Sequence, residues 1–187
     1  AANSSLVDHR GVFFQAQPIP IAAFLGSKRL DLLRVNTILN FIETASPELR
    51  GSFLNQWCYF DNSRTATKVT QWLLSRNGWC GSLEQLKTEI GSQCLKAIVH
   101  IEPDEVANVI RYAYGNLSID ELNREVINKR GFVEILIKLV ARKKTFYIIA
   151  PILMRLSVID NNESYLPNAK SSFKQLFQLR LSETEAE

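Results

Sequence analysis

Thr65-Ala66-Thr67-Lys68-Val69-Thr70-Gln71-Trp72-Leu73-Leu74-Ser75-Arg76-Asn77-Gly78-Trp79-Cys80-Gly81-Ser82-Leu83-Glu84-Gln85-Leu86 decides the fold class. Val69, Trp72 and Leu73 recur at the spacing of one buried helical face. Ser63 supplies a start signal, Gly78 sits where the helix should stop, and Ser82 caps the next one. Helix, stop and helix follow one another with no period-two strand between them.

Working outward, the same vocabulary continues. Ser46-Pro47-Glu48 places a hydroxyl at a cap, proline at the first helical position and a carboxylate in the first turn, ahead of Leu49, Phe53, Leu54 and Trp57. Before it, Ser27 is expected to cap a helix running to about Thr44 through Leu30, Leu33, Ile38, Phe41 and Ile42. Further helices are expected at about 64–77, 82–90, 92–99, 103–114, 118–128, 130–143, 145–156 and 168–182, with Ser92, Pro103 and Ser118 as starts and Gly91 and Gly115 as stops. Pro18 and Pro20 disfavour a helix interior, so residues 1–26 read as an extended arm. Ile98-Val99-His100-Ile101 is the most strand-like run and is too short to argue for a sheet. The expected class is all-α.

With 46% hydrophobic residues, 22 Lys plus Arg and 19 Asp plus Glu among 187 positions, the composition is globular and supports a real core. Three cysteines without CxxC spacing fit a reduced, intracellular and cytoplasmic setting and point to no metal or cofactor. The apolar run Phe146 to Leu153 contains Pro151, is closed by Arg155 and falls short of the ~20 residues that span a bilayer, so no membrane partner is expected. No leader with a cleavage site follows Ala1, so no secretory signal is expected, and the missing initiator Met fits either processing or a segment of a longer chain.

The chain repeats itself weakly. Val35 to Ile42 aligns with Val106 to Ala113 at a shift of 71. A shift of 66 pairs Val69 with Ile135, Leu73 with Leu139, Leu74 with Val140, Cys80 with Phe146, Leu83 with Ile149, Leu86 with Ile152 and Ile90 with Leu156. Any two amphipathic helices align by their period, but the order of the matching segments favours a duplication, with bundles at 27–101 and 102–187.

The segment from Thr65 to Leu86, with its Gly78-Trp79 turn between two leucine-bearing helices, resembles the centre of a caspase-recruitment-type domain of RIG-I-like RNA sensors. The resemblance covers about Ser27 to Val99, with a degenerate second copy from Glu102 to about Leu181 in which Lys143-Lys144-Thr145-Phe146 replaces the Gly-Trp turn. It implies two packed death-fold-like bundles forming a non-catalytic, protein-recruiting module at the N-terminal region of an RNA helicase, RIG-I-like or Dicer-related, in RNA silencing or RNA sensing. No Walker loop or DExD motif lies in these residues, so an RNA-dependent ATPase would belong to a longer parent chain.

From Arg124 to Lys144 seven basic residues face two acids. Lys129, Arg130, Lys138, Arg142, Lys143 and Lys144 are therefore the candidate residues for binding a protein partner or RNA. The bland reading is a solvated face whose Arg142-Lys143-Lys144 complements the negative end of its helix. Glu102, Asp104, Glu105, Asp120 and Glu121 read as helix-start acids, and opposite charges on two modules are compatible with self-association. The alternative function is a stand-alone helical RNA-binding protein such as a silencing suppressor. No catalytic, cofactor or metal group emerges: Asp8-His9 reads as a solvated pair, His100 as a packing or capping histidine, and Trp57, Trp72 and Trp79 as core.

Overall fold

The computed structural model describes residues 7–10, 13–16, 19–126 and 129–159, and the helix expected over 168–182 lies outside them. The described residues are helical apart from one hairpin and the connecting turns, and the chain divides into two compact units, 1–71 and 72–187. The division falls inside a helix at Gln71/Trp72, not at Ile101/Glu102 where the repeat placed it.

The first unit opens with strands β1 (Val7–Arg10) and β2 (Phe13–Ala16), paired antiparallel with Val7 opposite Ala16 and Arg10 opposite Phe13. The expected arm is therefore a hairpin followed by a helix. Pro20 does not block helix α1 (Ile19–Leu30), because it occupies the first turn, where its missing N–H has no intrahelical partner to lose.

The helix expected from Ser27 to Thr44 is two helices, α1 and α2 (Val35–Thr44). Asp31 causes the break: its carboxylate accepts from Ser63 Oγ at 2.6 Å and from the Thr65 N–H at 3.0 Å, tying the end of α1 to the start of α4 (Arg64–Leu74). These hydrogen bonds, Ser63 first, hold the Asp31 pKa below its usual value. Helix α3 (Pro47–Asn55) begins as read, with Ser46 capping it and Pro47 at its first turn. It leads to a 3-10 turn, Trp57–Tyr59.

Trp57 is the hub of this unit. It is fully buried, and its indole N–H donates to Thr70 Oγ1 at 3.2 Å. Edge-to-face contacts run from Phe41 to Phe53 (5.0 Å between centroids), Phe53 to Trp57 (5.5 Å) and Trp57 to Phe60 (6.0 Å). Trp72 and Trp79, which belong to the second unit, are only half-buried and pack on each other at 5.3 Å.

The second unit continues from α4 into α5 (Leu83–Leu86), capped by Ser82, and α6 (Glu89–Ile98), capped by Thr88 rather than Ser92. Gly91 does not stop a helix. It lies inside α6, where a Cβ would sit 2.1 Å from the Gln85 carbonyl oxygen, so glycine permits the close approach. Helices α7 (Pro103–Tyr114), α8 (Ile119–Glu125), α9 (Lys129–Val140) and α10 (Lys143–Ile159) complete the unit. The Ile98-to-Ile101 run ends α6 and turns. Ser118 and Glu121 form a full capping box at α8, as the acid-at-helix-start reading expects.

Helix α10 is the axle, packing against α7, α8 and α9. It buries Phe146, Ile149, Ala150, Ile152, Leu153 and Leu156. Pro151 lies within it on an exposed turn, inside the helix expected over 145–156. Arg155 fixes its far end: the guanidinium donates to the backbone oxygens of Gly115 (2.9 Å), Tyr114 (3.4 Å) and Leu117, satisfying carbonyls at the α7 terminus.

The internal match survives in part. Val69/Ile135, Leu73/Leu139, Cys80/Phe146 and Leu86/Ile152 are buried in both members. The earlier pair is rotated: α2 buries Ile38, Leu39 and Ile42, whereas α7 buries Val106, Ala107, Ile110 and Tyr114, so only Leu39 and Ile110 coincide at the shift of 71.

Two stability predictions follow from this packing. Trp57→Ala should cost about 3–5 kcal/mol and lower the melting temperature more than Trp72→Ala or Trp79→Ala does, measured by denaturant titration. Arg155→Met should cost about 2 kcal/mol by orphaning those carbonyls, and an unchanged denaturation midpoint would refute the clamp.

Candidate interaction surface

The candidate surface is built on a tight reversal between α9 and α10. Thr145 is buried, and its hydroxyl donates to the Leu139 carbonyl while the Thr145 and Phe146 N–H groups return to the Arg142 oxygen (3.2 and 3.0 Å). The turn therefore consists of Ala141 and Arg142, and Lys143 and Lys144 begin α10.

This location corrects the bland reading of the basic run. Lys138 does lie in the last turn of α9, where a cation complements the helix dipole. Lys143 and Lys144 instead occupy the first turn of α10, the positive end, where cations are opposed by the dipole. Helix capping does not explain them.

Opposing acids partly offset the charge. Lys144 Nζ lies 3.0 Å from Asp104 Oδ2 in the first turn of α7. A crevice of about 390 Å³ is lined by Glu102, Pro103 and Asp104 on one side and Arg142, Lys143 and Lys144 on the other. Arg142 and Lys143 are exposed and form no salt bridge among the described residues.

Lys138 lies 3.1 Å from His100 Nε2 and donates to it. Partial desolvation of the ring, then the charges of Lys138 and Arg142, lower the His100 pKa, so the ring is neutral and accepts at neutral pH. His100 is thus a polar member of the basic corner.

The six candidate residues do not form one patch. Lys138, Arg142, Lys143 and Lys144 gather at the junction, whereas Lys129 and Arg130 start α9, about 12 Å or more away along its axis at 1.5 Å per residue. The side chains of Lys129 and Arg130 fall outside the described residues. Arg124 ends α8, donating to the Asp120 carbonyl at 3.4 Å.

Two exposed tyrosines escaped the sequence reading. Tyr147, 80% exposed, lies one turn along α10 from Lys143 and Lys144. Tyr112, also 80% exposed, has the Arg111 guanidinium 5.3 Å from its ring centroid. The helical period could have shown Tyr147: with Phe146, Ile149, Ala150 and Leu153 facing in, position 147 points out.

Elsewhere in the second unit, a cavity of about 360 Å³ has an apolar wall including Leu95, Tyr114, Phe132 and Ile135, and a rim carrying Lys87 and Glu125. Lys87 is paired with Glu125 and Glu84, and these contacts, Glu125 first, raise its pKa. Burial pushes the Tyr114 pKa up to about 12. No group of three or more His, Cys, Asp or Glu side chains suited to a metal ion occurs among the described residues. Cys58, Cys80 and Cys94 are free thiols, and burial, then Cys94, raises the Cys80 pKa well above normal, so it keeps its proton at neutral pH.

No protein-family model, curated protein or solved structure matches the chain.

The His100 imidazole should titrate below the ordinary value of about 6.5, and Lys138→Gln should raise its midpoint. As pH falls below that ordinary value the unfolded chain protonates first. His100 therefore contributes stability above about 6.5 that is lost as pH falls through its folded pKa. An NMR titration of the ring signals checks this, and a midpoint above 6.5 would refute it.

Proposed function

We propose that this chain is a non-catalytic interaction module, the N-terminal region of an RNA helicase of RNA silencing or RNA sensing, which recruits protein partners through the charged corner between α9 and α10. One observation carries the reading: exposed Arg142 and Lys143 stand beside the Lys144–Asp104 pair at a helix end where capping does not call for cations. Such a surface presents both signs of charge within one crevice and steers a partner of complementary pattern. The assignment to tandem caspase-recruitment-type, death-fold-like bundles rests on the Gly78-Trp79 turn and on the matching buried positions of α4–α5 and α9–α10. The helicase and its RNA pathway rest on that resemblance alone.

Tyr147 favours a second reading, direct binding of single-stranded RNA, because an exposed ring one turn from two lysines is the pairing a base-stacking platform uses. The two readings separate in solution. A recruitment module should bind single-stranded RNA weakly near physiological salt, and R142Q/K143Q/K144Q should abolish capture of its protein partner from cell extract without altering the melting curve. Tight, salt-dependent RNA binding lost in both that triple variant and Tyr147→Ala would overturn recruitment in favour of the RNA reading, since stacking on one ring is worth about 1–3 kcal/mol.

A further inference from the structure

Helix α1 is amphipathic in the reverse of the usual sense. Its small residues face the first unit: Gly26 lies so close to Phe60 that an added Cβ would be 2.8 Å from the ring. Ser27 and Leu30 are buried, and Ser27 Oγ lies 3.5 Å from the Tyr59 carbonyl. Its large residues face out, with Ile21 45%, Phe24 61% and Leu25 56% exposed, continued past the helix end by Leu32 at 74% and Leu33 at 45%. Ile21, Phe24, Leu25 and Lys28 follow i, i+3, i+4 and i+7 spacing, a single stripe, and Leu32 is exposed in the turn that follows. Rotating α1 to bury that stripe would lose the close approach at Gly26 and the Asp31 tie to Ser63 and Thr65, so the outward face is enforced by packing.

Cations outnumber carboxylates on this face, with Lys28, Arg29 and Arg34 against Asp31. Lys28 lies with its Nζ 5.6 Å from the Phe24 ring centroid, its stem along the stripe and its ammonium at the edge. Arg29 and Arg34 are exposed beside it, and none of the three forms a salt bridge among the described residues. The nearby carboxylate, Asp31, is held by Ser63 and Thr65, stays ionised and offsets one of the three cations. A second copy of the chain would bring three cations against one carboxylate to this face, a net repulsion. A protein partner would find few hydrogen-bonding groups along the stripe to fix its register. An anionic lipid surface complements both features, apolar depth for the stripe and negative charge for its rim.

We propose that α1 is an interfacial anchor that lays Ile21, Phe24, Leu25 and Leu32 into an anionic bilayer surface, with Lys28, Arg29 and Arg34 at headgroup level. No helix among the described residues is long and apolar enough to cross a membrane, and this mode needs none. The proposal is independent of the basic corner in the second unit.

The test uses the full 187-residue chain and co-sedimentation with vesicles of phosphatidylcholine plus phosphatidylserine, against phosphatidylcholine alone. The wild type should partition to the mixed vesicles and only weakly to the neutral ones. F24S/L25S should lower the partition constant by about tenfold or more, and K28Q/R29Q/R34Q by about fivefold per charge removed. Unchanged circular-dichroism melting curves are expected of both, because all five side chains are exposed. Failure of the wild type to partition would overturn the proposal. So would binding that survives F24S/L25S but not R142Q/K143Q/K144Q, which would place the contact at the other unit's basic corner. A dimer in light scattering that F24S/L25S dissolves would assign the stripe to a second copy, and that too would overturn it.

Discussion

The second unit depends on Arg155, which holds α10 against α7. At one end Arg155 places its guanidinium on the carbonyls of Tyr114, Gly115 and Leu117 at the end of α7. At the other, Lys144 meets Asp104. The two helices therefore run side by side in the same direction, and the apolar face of α10 is trapped between α7, α8 and α9. The buried side chains supply the driving force, which is non-directional, while the arginine supplies direction and fixes which face of α10 goes in.

That arrangement also produces the candidate surface. Once α10 is fixed, the short turn clamped by Thr145 determines where Arg142, Lys143 and Lys144 emerge, beside the acids that open α7. Charge that appears in sequence as a diffuse basic run becomes a local corner with a neutral histidine, an internal ion pair and two cations that form no salt bridge among the described residues. The remaining basic residues of the run are separated from it by the length of α9.

Features carried by adjacent residues were legible in the sequence. Ser46-Pro47-Glu48, Ser82 and Ser118 start helices because a short hydroxyl reaches an N–H three residues on, whatever the tertiary fold. Features settled by distant contacts were not. Gly91 resembles a stop signal, and only the approach of the Gln85 carbonyl explains it as a packing glycine. Lys143 reads in sequence as the end of one helix, and the structure makes it the start of the next, beside the bond from Thr145 to Leu139. The Asp104–Lys144 contact joins residues 40 positions apart and has no local signature. The split of the first long helix likewise needed Asp31 to find Ser63 and Thr65, more than 30 positions away.

The three tryptophans are divided between the units in a way that makes the chain its own optical reporter. Trp57 is enclosed and hydrogen-bonded in the first unit, while Trp72 and Trp79 form a half-exposed edge-to-face pair in the second. A buried indole emits at shorter wavelength and is shielded from quenchers, whereas a partly wet pair emits further to the red and is quenched readily. Melting of the first unit would shift the blue component, and melting of the second would break the coupling between neighbouring indoles. One emission spectrum followed through denaturation thus separates cooperative unfolding of the whole chain from sequential loss of its halves, without any attached dye.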